Sequence, residues 1–173
     1  MAAALNAFMK IGEAEGESRQ TGYEKWIELQ SWDWEVEAET SWTKGGGAAV
    51  GKPSPGKMNW EHVFDRSSNT ILSFICTGKS FEEVTLEMCK STGNTDKREA
   101  FFTVTMQQAF ITKVSQAATE EGNVSQKVEM VFKNIKIVYK QQGAQPNAPG
   151  ALSEAGTFQW DIPSGEASPD NGG

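Results

Sequence analysis

Gly46-Gly-Ala-Ala-Val-Gly51-Lys52-Pro53 comes nearest to a chemical motif in this sequence. A loop of the form G-x-x-x-x-G-K-[ST] cradles phosphates with its backbone N–H groups, and its last hydroxyl holds a magnesium ion. Seven of the eight positions agree here, but Pro53 stands where that hydroxyl is needed. The lysine should also open a helix, which Pro53-Ser-Pro55-Gly56 cannot continue. Nucleotide binding is therefore not expected.

Nucleophilic and metal chemistry are as thinly supplied. Cys76 and Cys89 are the two cysteines and His62 the one histidine, which makes neither a disulfide framework nor a zinc set. A Cys–His pair can be written down, but no spacing favours it, and all three residues are expected to be structural. Glu82 and Glu83 are neighbours on a strand and so point to opposite faces, which keeps them from converging on one bond. Glu120 and Glu121 sit beside Gly122 in an expected hairpin turn, solvated. Asn123-Val-Ser125 fits a glycosylation acceptor but carries little weight without a leader. No catalytic, cofactor-binding or metal-ligating residue is assigned, and no enzymatic activity is expected.

Six tryptophans remain: Trp26, Trp32, Trp34, Trp42, Trp60 and Trp160. Indole faces stack on sugar rings, so a monomeric carbohydrate-binding barrel using Trp26, Trp42 or Trp60 is the alternative reading. Trp32, Trp34 and Trp160 lie in apolar rows, where core packing is the commoner use. Trp42 stands beside the glycines and reads as an anchor at a subunit interface.

The 173 residues suit one domain. With 16 Lys and Arg against 23 Asp and Glu the formal charge is −7, a sign that repels phosphate backbones and disfavours nucleic acid. No apolar run is long enough for a membrane helix. The start, Met1 to Lys10, lacks the basic-then-apolar pattern of a signal peptide, so folding in the cytoplasm and export without a cleaved leader are expected.

The elements follow from alternation. Phe8–Ile11 reads as a first strand. In Trp26–Val36, Ile27 and Leu29 share a face before the parity shifts to Trp32, Trp34 and Val36, which predicts a β-bulge near Gln30–Ser31. Thr40–Lys57 carries five glycines and two prolines and is expected to be a long extended loop. That loop holds Lys44, Lys52 and Lys57 and no acid, a basic segment on an acidic protein, suited to contact another copy. Met58–Phe64 reads as a strand. Thr70–Cys76 reads as the one short helix, capped by Ser67-Ser68-Asn69 and stopped by Gly78, with Ile71, Leu72, Phe74 and Ile75 on one face.

Strands resume with Val84, Leu86 and Met88 in step. Phe102, Val104, Met106 and Phe110 form a second row, with Gln108 its one polar member. Val128, Met130 and Phe132 shift parity to Ile135, Ile137 and Tyr139, predicting a second bulge near Lys133–Asn134. A loop at Gln141–Gly156 leads to a last strand, Thr157–Ile162. The expected fold is mainly β: an antiparallel two-sheet barrel flanked by one short helix, a single domain over residues 1–162. Residues 163–173 are expected to be a disordered acidic tail.

In order, Phe8-Met-Lys-Ile11 with Gly16-Glu17-Ser18, Ile27-Glu-Leu-Gln-Ser-Trp-Asp-Trp34, the glycine segment ending in Gly51-Lys52, and the helix Asn69–Cys76 resemble the haemolysin-coregulated protein (Hcp, TssD) family. So do Thr77-Gly-Lys-Ser-Phe81 with Val84-Thr-Leu86, Val131-Phe-Lys-Asn-Ile135 with Tyr139, and Phe158-Gln-Trp-Asp-Ile162. The family forms the inner tube of type VI secretion. The resemblance implies a homo-hexameric ring that stacks head to tail inside a contractile sheath, is ejected, and carries effectors in its lumen. It implies sheath and spike proteins as partners, and release to the extracellular space or a target cell. It also implies a ring–ring contact through Trp42, Lys44, Gly45, Gly46, Gly47, Lys52 and Lys57.

Overall fold

The computed structural model describes residues 5–43, 46–91, 98–145 and 148–170. Its elements run β1 (Ala7–Ile11), β2 (Ile27–Asp33), β3 (Val36–Thr43), β4 (Gly47–Pro55), β5 (Met58–Val63), α1 (Arg66–Thr77), β6 (Ser80–Ser91), β7 (Arg98–Ala118), β8 (Val124–Val131), β9 (Asn134–Gln145), β10 (Ala148–Asp161) and β11 (Glu166–Asp170).

Six of these strands close on themselves in the order β7-β6-β1-β2-β5-β8 and back to β7. Every pairing round this barrel is antiparallel. The period of two accounts for the wall: Met9 and Ile11, Ile27 and Leu29, Met58 and Trp60, Val84 and Leu86, Val104 and Met106, Val128 and Met130 all turn into one buried cluster. Each such side chain contributes roughly 1.5–3 kcal/mol on leaving water.

The bulge expected near Gln30–Ser31 is present, as a register shift between Leu29 and Ser31 against β5. Trp32 and Trp34 then pack on the core, but Val36, expected in the same row, is exposed because it has left the barrel for β3. In β7 the expected row breaks at Gln108, whose φ is +48°. Ala109 and Ile111 take over the buried face and Phe110 turns outward, 40% exposed. The reason is geometric, since β7 follows β9 from Phe102 to Gln107 and β8 from Phe110 to Ala118, and the strand bends between them. Opposite this bend the second expected bulge is a break at Phe132–Lys133 that separates β8 from β9. Hydrogen bonds from Lys133 N to Gln107 O (3.0 Å) and from Ile162 N to Lys133 O (3.0 Å) hold it.

From β7 the sheet continues outward as β9, β10 and β11. The expected loop at Gln141–Gly156 is largely strand: β9 runs to Gln145 and β10 begins at Ala148, paired with irregularities at Pro149/Leu152 and Glu154/Gly156. The last strand therefore begins before Thr157. Past Ile162, where no order is expected from the sequence, Glu166–Asp170 pairs with Thr157–Asp161.

The helix also starts earlier than expected. Its N-cap is Asp65, which accepts from Ser67 N at 2.9 Å while Ser68 Oγ accepts from Asp65 N at 3.0 Å, a reciprocal capping box. Ser67 and Ser68 thus lie inside the first turn and are fully buried. Gly78 ends the helix in the left-handed region, φ +67°, as expected. Ile71 is buried, and Phe74 stacks on Phe81 at 4.0 Å between ring centres, which pins the helix to the barrel.

Candidate functional site

Thr40–Lys57, expected as an irregular loop, is folded as a hairpin. β3 pairs with β4 from Val36↔Pro55 through Thr40↔Val50 to Thr43↔Gly47, and among the described residues the two strands pair with no other. Pro53 and Pro55 fit because β4 has a free outer edge that needs no N–H donor. Side chains are exposed on both faces from Val36 to Ser41 and from Ala49 to Pro55, with Val50 at 71%. A two-stranded ribbon with no buried face is marginal in water on its own. The sequence Gly46–Pro53 lies on this ribbon as turn and strand, so its N–H groups cannot wrap a phosphate.

The arm projects from the barrel as a continuation of the β2–β5 ladder. Asp33 pairs with Asn59 at the end of that ladder, and Val36 with Pro55 at the start of the arm. Between them, Trp34 Nε1 donates to Gly56 O at 3.1 Å and Gly56 N donates to Glu35 O at 2.8 Å. The Trp34 ring lies against the core beside Phe132, 6.1 Å between centres.

The residues expected at a ring–ring contact divide accordingly. Trp42, Gly46, Gly47 and Lys52 belong to the arm, with Gly47 at φ +85°. Lys44 and Gly45 lie outside the described residues. Lys57 is not on the arm; it sits at its root, with Nζ 3.4 Å from Glu129 Oε2. Beyond the expected segment, β3 places Glu37 and Glu39 on the strand opposite β4, which carries Lys52, so the ribbon bears both signs of charge. Charge in this segment had to be counted on both paired strands, and the glycines hid the pairing.

Ser68, His62 and Asp65 form a second polar grouping, one that the spacing did not reveal. His62 and Ser68 are fully buried, and His62 Nε2 lies 3.0 Å from Ser68 Oγ. His62 Nδ1 is 3.0 Å from Trp60 Nε1, and an indole nitrogen only donates. Nδ1 must therefore be bare and Nε2 must carry the proton, so His62 donates to Ser68 and cannot take its proton. Burial holds the imidazole below its usual pKa, against the pull of the Asp65 carboxylate. Gln126 Nε2 donates to Ser68 O (3.3 Å) and Gln116 Oε1 (2.9 Å). The cluster stitches the helix start to β5, β7 and β8; it has neither a base for a nucleophile nor access for a substrate.

The remaining candidates are dispersed. Trp60 is 2% exposed and Trp160 6%, so Trp60 cannot offer a face to a glycan. Trp26 is half-buried, edge-on to Tyr23 at 5.1 Å, and Tyr23 stacks on Phe8 and donates to Glu87 at 2.8 Å. Cys89 is buried in that satellite cluster and Cys76 is exposed. Among the described residues no three His, Cys, Asp or Glu side chains are grouped to hold a metal ion.

The sequence profile of a family described as "Type VI secretion system effector, Hcp" matches residues 8–139. Protein hcp1 of Pseudomonas aeruginosa strain PAO1 is 23% identical over 160 residues, covering 92% of this chain and 96% of the relative. Hcp1 from Salmonella typhimurium has the same fold at a TM-score of 0.75 and 23% identity, over 96% of this chain and all of that one (100%). A solved type six secretion system protein gives 0.83 at 20% identity, over 95% and 100%.

Proposed function

The chain belongs to the Hcp family and is a tube subunit of type VI secretion; from that premise we propose that six copies close into a ring and that rings stack head to tail through the β3–β4 arm. The observation that supports the stacking role is the arm itself: a ribbon exposed on both faces, paired among the described residues only with itself, and marginal until a second surface covers it. Trp42 and Lys52 on the arm and Gly46 and Gly47 at its turn are the proposed contact residues, together with Lys44 and Gly45, which lie outside the described residues; Lys57 supports the root. A head-to-tail contact propagates without closing, which turns a ring into a tube.

We place the assembled tube in the cytoplasm inside a sheath and under a spike, with effector cargo in the lumen and release without a cleaved leader. Among the described residues no helix is long and apolar enough to cross a membrane. Negative-stain microscopy with native mass tests the reading. Rings at six times the chain mass, stacking at high concentration, are expected; a monomer at every concentration overturns it. Replacing Glu37–Ser54 by a short Asn-Gly turn should leave rings and abolish stacking. Stacking that survives the replacement removes the arm from the contact.

A further inference from the structure

The root of the arm is more heavily tied than the arm. On the β2–β3 side two residues, Trp34 and Glu35, separate the two ladders; on the other side three, Gly56, Lys57 and Met58, do so. This unequal count is a bulge, which bends and twists a ribbon at a fixed place. Both backbone groups of Gly56 are taken, its N–H by Glu35 O at 2.8 Å and its carbonyl by the Trp34 indole at 3.1 Å. Asn59 Nδ2 spans the step, donating to Asp33 Oδ2 (3.1 Å) and Lys57 O (3.2 Å). Lys57 is held in turn by Glu129 on β8. A side chain at Gly56 has no room, since a Cβ there would lie 2.7 Å from Glu35 O and 2.9 Å from its Cγ.

We propose that Trp34, Glu35, Gly56 and Asn59 form a rigid elbow that sets the direction of the β3–β4 arm before a second copy is met. Trp34 is the pivotal positioning residue: its half-buried ring packs against the barrel core beside Phe132, and its N–H reaches out to the arm side of the joint. The elbow converts a ribbon with no support of its own into a presented one, so the entropy of aiming it is lost on folding and not on docking. Its consequence for stacking rests on the arm being the ring–ring contact.

The test measures direction first. Nitroxide labels at Val50→Cys and Lys127→Cys, with Cys76→Ser and the buried Cys89 left in place, report the arm–barrel separation by pulsed dipolar spectroscopy. Labelled chains are diluted into unlabelled protein so that each assembly holds one labelled copy. A single narrow separation is expected, broadening severalfold with Trp34→Phe, which keeps the ring and loses the donor, and with Gly56→Ala. Equal widths in the parent and in Trp34→Phe overturn the elbow, provided melting shows both folded. Should Gly56→Ala fail to fold, Asn59→Ala replaces it. The same Trp34→Phe protein should form rings normally but need about tenfold more protein to stack, equivalent to about 1.4 kcal/mol. If arm replacement leaves stacking intact while Trp34→Phe still broadens the separation, the stacking reading falls and the elbow stands. If arm replacement abolishes stacking and Trp34→Phe stacks as the parent with an unchanged width, the elbow falls and the reading stands.

Discussion

At the scale of single residues, one indole N–H decides the protonation state of the buried polar cluster. Trp60 fixes a bare Nδ1 on His62, and a proton arriving there would set two donors face to face at 3.0 Å. Burial already lowers the His62 pKa, outweighing the Asp65 and Glu61 carboxylates that favour the charged form. The unfolded chain therefore takes up this proton at a higher pH than the folded one. Stability is full above the unfolded value of about 6.5 and falls as pH drops through it, by up to about 1.36 kcal/mol per pH unit. His62 is the only histidine in the chain, so the fall between about pH 6.5 and 5.5 is its signature. Denaturant titrations should show it in the parent and lose it in His62→Gln, which is less stable at neutral pH but flat across that window. A slope that persists in His62→Gln assigns the effect elsewhere.

At the scale of elements, the helix depends on its first turn. Asp65→Ala removes the acceptor for Ser67 N and half of the capping box, and should lower stability by about 1–2 kcal/mol in chemical denaturation. An unchanged midpoint would show that the Ser68–His62 contact alone holds the helix start. The same element shows how far the sequence could be read. Gly78 announced the helix end because only a left-handed stop suits it, but three capping-type residues in a row, Ser67, Ser68 and Asn69, drew the start past Asp65. Strands lining the barrel were legible because alternation is imposed by burial, as in Val84 and Leu86. The arm and the outer parts of β9 and β10 were not. Their ladders are built from backbone groups and tolerate glycine and proline, and the arm has no core face to pattern it. Gln108 was noticed for its polarity, yet the bend it makes depends on where β8 and β9 lie, which β7 alone does not encode.

At the scale of the whole molecule, closure rests on β1, a five-residue strand that bridges β2 and β6. Its inner face, Ala7, Met9 and Ile11, is buried in the core, and on its outer face Phe8 packs against Tyr23 and Cys89 while Lys10 is exposed. Deleting residues 1–11 should reopen the barrel and expose the edges of β2 and β6. Size-exclusion and native mass would then report aggregate in place of discrete rings; discrete rings from the truncated chain would show that closure is dispensable. The family resemblance reached from segment order agrees with this architecture, because four of those segments are the barrel strands β1, β2 and β6 and the helix. The resemblance also led toward an arm contact, but it did not give the arm a strand pairing or place Glu37 and Glu39 beside Lys52.

The antiparallel arm is contiguous in sequence, whereas the barrel that bears it is not: Met9 must wait for Leu86, and Trp60 for Val128. A local hairpin closes in about 1–10 μs. A ribosome adds about 5–20 residues per second. On that clock both strands of the arm are synthesised while β6, β7 and β8 are still unmade, and the wall closes only seconds later. A nascent chain thus holds both strands of the arm before it has Glu129 and Phe132, which steady the arm's root, and a chain arrested before Val124 would carry a ribbon with nothing to aim it. Presentation of the arm is therefore timed by the late strands and not by the arm itself.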